Sequence, residues 1–409
     1  MKILMLAPYV YRNEIPTFSN NKSGFGMMVN DIATYINEAG CEVEMLTNSF
    51  TKEENVGYKI VKHSKLGFAF SLRFSGLFRY LKKLQIKKMF SATFARQVYY
   101  YLNTGFVRKY IKKSKPDVVH IHGMGVLSDI YVDICKKLHV PCCVTAHGLL
   151  ENDAMVSHVG KQAEIDLFKK LEKEKVPVTV ISTGIKRRLT EDYYGLTSSD
   201  NVVVVNNATN VKEVMVTENK TREELNIPDD AYVLLCVGSL LRQKGQIQVL
   251  RAYDTMPDEI KGKTYLVFAG SIHSGYPVEE EIEKLGIEDH VRLLGFVNHD
   301  ELPRYYTSCD AVALASIDEG FGISLIEGMV YGVPFVTFAD LDAVVDVYKP
   351  ENGILCYERT DKALGDAISQ VLTSSWNKEK IKANSKAFSY EQMAENYIEF
   401  YKTRVLGQN

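Results

Sequence analysis

Glu319 and Glu327 stand eight positions apart in the stretch DEGFGISLIEGMVYGVPFV, residues 318–336, with a Gly-Phe-Gly turn directly after the first. The run before it, DAVALAS, is short and apolar, as a buried strand is, and ISLIEGMVYG carries apolar residues at helical spacing. The stretch therefore predicts strand, glycine turn, helix. Gly320 and Gly322 permit close approach of another group to the backbone. A helix starting near Gly322 turns unpaired amides toward whatever lies in front of it, and such an end attracts phosphate. Glu319 would sit in the loop above the strand and Glu327 one turn into the helix, with room for a phosphate between them and hydroxyl-bearing groups on either side. Taken singly, Glu319 also suits a helix N-terminus electrostatically and Glu327 a solvated helix face. In CVGSLLRQKGQIQVL, Gly238 and Ser239 close a second predicted strand and Lys244-Gly245 opens a helix. A lysine beside helix amides suits a diphosphate, with Arg242 as a helper, although alone it reads as a solvated lysine near a cap. The loop NNKSGFGMMVND sets Gly24 and Gly26 before a helix, where a phosphate or sugar could approach; its spacing is not the dinucleotide-binding fingerprint.

These residues need elements to hold them. The first half alternates strand-like and helix-like segments, from KILMLAPY through EVEMLT, DVVHIHG and PCCVTAHG to PVTVIST. A second series runs from YVLLCVGS through TYLVFAG, VRLLGF and AVALAS to PFVTF. Two successive doubly wound parallel sheets of Rossmann-like type are predicted, an α/β protein with its boundary near residues 201–214. The expected division is an N-terminal domain over 1–207, a second over 208–386, and a C-terminal helix over 387–409 that packs back on the first. Ligands of such sheets bind beyond the carboxyl ends of the strands, so two facing domains would form a cleft. His122, His147, Gly238, Gly270 and Glu319 stand at those ends.

A chain of 409 residues suits two domains, and 46% hydrophobic with 24% charged residues is a soluble globular composition. No apolar run is long enough to cross a bilayer, and MKILMLAPYV reads as a buried strand rather than a leader. Seven scattered cysteines without zinc-site spacing suggest reduced core thiols and a cytoplasmic chain. The net charge of −2 is unevenly spread. Residues 55–116 carry no Asp or Glu but fifteen Lys and Arg, which leaves −17 on the rest of the chain. The stretch is also rich in aromatics, among them Phe68, Phe70, Phe74, Phe78, Phe90 and Phe94. An anionic membrane surface, nucleic acid, and a plain solvated face are the readings open to it. No nucleic-acid-binding module is present in the sequence, which favours the membrane and a peripheral place at its cytoplasmic face.

The chain resembles the retaining, nucleotide-sugar-dependent glycosyltransferases of family 4, which have the GT-B fold. The resemblance rests on EGFGISLIE, VGSLLRQKG, VRLLGFVNHDELPRYYTSCDAVALAS, GVPFV, ENGIL, TAHG and FSYEQMAENYIEFY, and covers nearly the whole length. It implies that Glu327 binds the nucleotide ribose, that Glu319 and the amides around Phe321, Gly322 and Ile323 hold the donor sugar and phosphates, and that Lys244 neutralises the diphosphate. It implies that His147 approaches the donor sugar. No metal or other cofactor is required, and the partners are a nucleotide-sugar donor and a saccharide or lipid-linked acceptor, in bacterial cell-surface polysaccharide assembly. A catalytically silent carbohydrate-binding or scaffold subunit and a sugar-nucleotide epimerase are the alternatives on the same fold. Two positions depart from the family: Ser239 stands where Arg is common, and Asp346 where Glu is typical.

Overall fold

The computed structural model describes residues 1–11, 24–47, 56–61, 104–151, 158–191, 193–211, 214, 216 and 219–408. Two compact units divide the chain. The first comprises Met1–Val180, Lys186–Val205 and Met393–Asn409, and the second Ile181–Ile185 and Asn206–Gln392. The second unit thus takes a five-residue piece from within the first half of the chain, and the first unit takes the C-terminal segment.

In the first unit the described strands form a parallel sheet: β1 (Lys2–Ala7), β2 (Glu42–Thr47), β3 (Lys59–Ile60), β4 (Val118–His122), β5 (Cys142–Ala146), β6 (Val178–Val180) and β7 (Val202–Val204), in the order β3-β2-β1-β4-β5-β6-β7. Its central strands are nearly continuous apolar runs because helices cover both faces. Ile3, Leu4 and Met5 of β1 are fully buried, as are Val118 and Val119 of β4. The C-terminal helix Tyr390–Phe400 and the π turn Tyr401–Val405 place Tyr397 and Tyr401 against the His120 ring of β4.

The second unit repeats the plan. Its strands are β8 (Tyr232–Val237), β9 (Thr264–Ala269), β10 (Val291–Gly295), β11 (Ala311–Leu314), β12 (Phe335–Phe338) and β13 (Gly353–Cys356), all parallel, ordered β10-β9-β8-β11-β12-β13. In both sheets the order reverses beside the unit's first strand, between β1 and β4 and between β8 and β11. At such a point the chains leaving the two strands diverge to opposite faces, and a crevice opens between them.

One carboxylate organises the edge of the first sheet. Glu44 of β2 has a side chain only 1% exposed and accepts from Lys59 Nζ at 2.7 Å, Lys2 Nζ at 3.2 Å, Tyr110 OH at 3.0 Å and Ser114 Oγ. Lys59 and Ser114 lie near opposite ends of the acid-free stretch 55–116, so both ends are fastened to the same carboxylate, Lys59 to Oε1 and Ser114 to Oε2. Most of the stretch's cations and all six phenylalanines named above lie outside the described residues; of those described, Lys109, Lys112, Lys113 and Lys115 are exposed on the helix over 104–114 and just past it. Burial opposes the charge on Glu44, but the bonds from Lys59, Ser114, Lys2 and Tyr110 outweigh it and hold the carboxyl down at about 2. A depressed folded-state pKa contributes stability that is present above the ordinary carboxylate value and is lost as pH falls through the folded one. We expect stability to decline between about pH 4.5 and pH 2 as Glu44 protonates. Glu44→Gln should cost about 1–3 kcal/mol at neutral pH and flatten that acid limb, as read by urea unfolding at pH 7 and at lower pH.

Candidate functional site

The β8/β11 switch point brings two of the predicted residues, Lys244 and Glu319, together. After β8 the chain passes Gly238 and the exposed Ser239, makes a short 3-10 turn at Arg242–Lys244, and enters the helix Gln246–Asp254. The buried Gln246 side chain staples this loop: its Nε2 donates to Ser239 O at 3.1 Å, and its Oε1 accepts from Leu241 N at 3.4 Å. Gly245 has φ +69°, and an added Cβ would fall 2.0 Å from Ala315 O, just past the end of β11. Ile317 N donates to Gln243 O at 2.8 Å. The loops after the two strands are therefore locked by backbone contact, and the lock sets Lys244 Nζ 2.5 Å from Glu319 Oε2. Lys244 and Glu319 are 33% and 16% exposed, a pair half withdrawn from water yet reachable from it. The Arg242 side chain is exposed and makes no hydrogen bond or ion pair among the described residues.

Beyond Glu319, Gly322 adopts φ +72° and opens the helix Ile323–Val330, and no side chain caps its amides. Phe321 is 2% exposed and packs edge-on against Phe388, so its side chain anchors the turn. Glu319 O accepts from Ala343 N at 3.3 Å. The Asp346 carboxylate is committed to Thr183: Oδ2 accepts from its N and Oδ1 from its Oγ1, each at 2.6 Å.

Glu327 lies in the helix as expected, but its partners come from another segment. Its Oε2 accepts from Tyr306 OH at 2.6 Å, and its Oε1 is 2.9 Å from His299 Nε2. Tyr306 is fully buried, and burial followed by the Glu327 charge pushes its phenol well above the usual range, so it donates as a neutral O–H. These three side chains, Tyr331 stacked on Tyr306 at 5.9 Å, and Asn210 line a cavity of about 230 Å³. The sequence reading missed Tyr306 and His299; the NHDELPRYY segment that carries them contains the signal, a tyrosine at helical spacing from apolar Leu302. No bond joins Glu327 to Glu319, which serve different surroundings.

In the first unit, Gly24 and Gly26 do not precede the helix but form its first turn, in Gly24–Glu38. Space remains open beside Gly24, whereas a Cβ on Gly26 would meet Tyr11 Cβ at 3.0 Å and Tyr11 N at 3.1 Å. Gly26 is thus needed for close packing against Tyr11. Between them Phe25 sets its ring 4.9 Å from that of His147, edge to face. His147 follows β5 and its Nε2 is 3.0 Å from Nδ1 of His122, the last residue of β4. Burial pushes His147 down to about 4, which keeps it uncharged at neutral pH. Among the described residues no cluster of His, Cys, Asp and Glu is placed to hold a metal ion, and no helix is long and apolar enough to cross a membrane.

Two doubly wound parallel units with a lysine, a carboxylate and a helix N-terminus at a switch point define a Rossmann-like α/β protein. The family model for glycosyl transferases group 1 matches residues 217–388, and that for glycosyltransferase family 4 matches residues 22–213. The chain belongs to the family 4 glycosyltransferases with the GT-B fold, and it is a glycosyltransferase. An uncharacterised glycosyltransferase of Methanocaldococcus jannaschii is 27% identical over 306 residues, 70% of this chain and 75% of the relative. Sucrose-phosphate synthase from Thermosynechococcus elongatus has a TM-score of 0.74 at 18% identity, with 100% of both chains covered. Anabaena HepE in complex with UDP-glucose has a TM-score of 0.69 at 17% identity, covering 98% of this chain and 100% of that one.

The lock between the two loops is testable without any ligand. Gly245→Ala drives a methyl into the Ala315 carbonyl and asks an L side chain to hold a left-handed φ, so we expect a loss of roughly 2–4 kcal/mol in urea unfolding. Gly24→Ala, at an open position in a helix, should change stability by less than about 1 kcal/mol.

Proposed function

We propose that the protein transfers a sugar, with retention of anomeric configuration, from a nucleotide-diphosphate donor to a saccharide or lipid-linked acceptor during assembly of cell-surface polysaccharide. The observation that carries this reading is the Lys244–Glu319 contact at the β8/β11 switch point, beside the uncapped amides that follow Gly322. A diphosphate placed there would lie against the Lys244 ammonium and the helix amides, and both gain strength as the leaving oxygen becomes more negative. The bond from the anomeric carbon to the phosphate oxygen breaks, and the acceptor hydroxyl bonds to the same face of that carbon while its proton passes to the departing phosphate. No covalent enzyme nucleophile is assigned, and no metal is called on. Arg242, exposed and uncommitted, is the cation within the same loop that can assist Lys244 where the family's Arg is replaced by Ser239. Glu327, already held by Tyr306 and His299 at the edge of a cavity, is the acceptor for ribose hydroxyls.

A thermal-shift screen across nucleotide sugars identifies the donor, since a ligand bound only by the native state raises its stability. With that donor, Glu327→Ala should weaken binding by about 1.5–3 kcal/mol, the usual worth of hydrogen bonds to a charged group. Unchanged donor affinity in the folded variant removes Glu327 from the site. Lys244→Ala should lower kcat on the order of 10²-fold with a smaller change in donor affinity. Normal turnover in that variant would assign the principal cation to Arg242.

The acid-free stretch 55–116 supplies the second part of the proposal, attachment to an anionic membrane beside a lipid-linked acceptor. Basic residues near such a surface contribute about 1 kcal/mol each, and salt screens them. Flotation with anionic liposomes at low salt, lost at high salt and on replacing Lys82, Lys83, Lys87 and Lys88 by Glu, is the expected result. Flotation that ignores lipid charge or survives the replacement sinks the attachment.

A further inference from the structure

β4 ends VHIH and β5 runs into VTAH, and the two strands pair in parallel with His122 opposite Thr145. Alternation puts His120, His122, Thr145 and His147 on one face of the sheet. His120 is fully satisfied there: its Nδ1 is 2.7 Å from Tyr401 OH and its Nε2 2.5 Å from Thr145 Oγ1, which is itself 2.5 Å from Thr179 Oγ1. His122 stacks on His120 with ring centroids 4.0 Å apart and is 2% exposed. Its one polar contact is the 3.0 Å bond from Nδ1 to His147 Nε2.

A neutral imidazole has one N–H and one bare nitrogen. Burial, followed by the neighbouring imidazoles His120 and His147, holds His122 well below the usual range, so both rings of the pair are neutral near pH 7. If His122 Nδ1 carries the shared proton, His122 Nε2 is bare and His147 Nδ1 bears an N–H; the opposite arrangement exchanges these roles. Either way the pair holds out one unmatched donor and one unmatched acceptor. Those two atoms, His122 Nε2 and His147 Nδ1, are buried and without a hydrogen-bond partner. A buried polar atom left alone costs about 1–3 kcal/mol, so two on one bonded pair call for a ligand. A hydroxyl both donates and accepts and so matches either tautomer, whereas an ionised phosphate only accepts and can meet the N–H but not the bare nitrogen. The chemistry that fits is a polyol, and the strand ends are where a sheet of this kind receives one.

We propose that His122 is a positioning residue for His147: its Nδ1 holds the His147 ring in one orientation and ties its tautomer to that of His122, so that His147 Nδ1 meets a sugar hydroxyl without first having to be ordered. Phe25 adds to the constraint through its edge-to-face contact with the His147 ring. This rests on the transferase reading for the identity of the ligand, but the lock itself belongs to the free protein. Rotation of an unrestrained imidazole would let donor and acceptor interchange, and part of the binding free energy would go into fixing them.

The test uses the full chain labelled with ¹⁵N-histidine, as wild type and as His122→Phe, His122→Gln and His122→Asn. Long-range ¹⁵N–¹H spectra should show wild-type His122 and His147 neutral between about pH 6 and 8 and in complementary tautomers, with one proton shared between them. His122→Phe removes the partner, and His122→Gln moves its amide past the position of Nδ1, so both should release His147 to a different tautomer ratio. His122→Asn places an amide where Nδ1 was and should restore the hydrogen bond to His147 Nε2, which a purely structural role for an aromatic ring would not do. With the donor found by thermal shift, the Phe and Gln variants should lose about tenfold or more in kcat at little change in donor KM, with rescue by Asn. An unchanged His147 tautomer ratio in the Phe and Gln variants overturns the proposal. Should the wild type turn over no nucleotide sugar while the spectra follow the expected pattern, the transferase reading fails and the lock stands.

Discussion

Everything proposed for the second unit depends on the contact between two loops that leave neighbouring strands in divergent directions. β8 and β11 pair through Leu234 and Leu235, and the chain beyond each has to part company at the carboxyl edge. Gly245 against the Ala315 carbonyl and Ile317 N on Gln243 O keep the parted loops in touch. Only then can Lys244 and Glu319, seventy-five residues apart in the chain, share one hydrogen bond. A half-buried ion pair is a poor source of net stability, because desolvation offsets much of the attraction. Its value is positional. The carboxylate keeps the ammonium at the crevice and prevents the long lysine side chain from sampling solvent, so an anion that docks there finds the cation already ordered.

The first unit solves a different problem with related means. Its central strands are buried on both faces, yet β4 and β5 carry His120, His122 and Thr145 where apolar side chains would be expected. Inside the sheet face the polar groups are paired in sequence, from Thr179 through Thr145 and His120 to Tyr401. The C-terminal segment therefore closes a row of hydrogen bonds that would be unsatisfied without Tyr401. The row stops at His122 and His147, at the carboxyl end of the strands. Satisfaction deep in the sheet and unmatched atoms at its end are what separate a structural polar network from one that addresses a ligand.

Much of this was legible in the residues. The strand, turn and helix around Glu319 follow from a short apolar run, two glycines and helical spacing, and the structure forms that sequence of elements with Gly322 at the helix start. Both doubly wound sheets were legible from the alternation of elements, which is a local property. The pairing of Lys244 with Glu319 was not, because it depends on which strand lies beside which. Glu327 was read as flanking a phosphate; its actual partners, Tyr306 and His299, reach it across the helix from a segment whose pattern looks like ordinary core. His122 was legible as a strand-end residue, but its meaning lies in a cross-strand neighbour that one strand's sequence cannot announce. Gly24 and Gly26 were placed ahead of a helix that begins at Gly24, the usual uncertainty of helix ends. Phe25, between them, proves to be the residue with a neighbour of interest.

The two departures from the family pattern now have different standings. Ser239 is exposed, and the loop it occupies is held by Gln246 through the Ser239 carbonyl rather than its side chain. Among the described residues its side chain makes no hydrogen bond, so the path to Lys244 does not depend on it. Asp346 is the opposite case. Both its oxygens are used on Thr183, at the start of the short helix Thr183–Arg188, and the adjoining Gly184 approaches Asp342 so closely that a Cβ would lie 2.5 Å from its backbone. Ile181 and Ile185 of the same five-residue segment reach 3.3 Å from where a Cβ on Gly320 would be. The chain through Asp346 thus acts on the turn beside Glu319 by way of Thr183 and the two isoleucines. The Asp346 carboxylate reaches Thr183 at full hydrogen-bond strength, and what it holds is the backbone of that segment rather than anything in front of the turn.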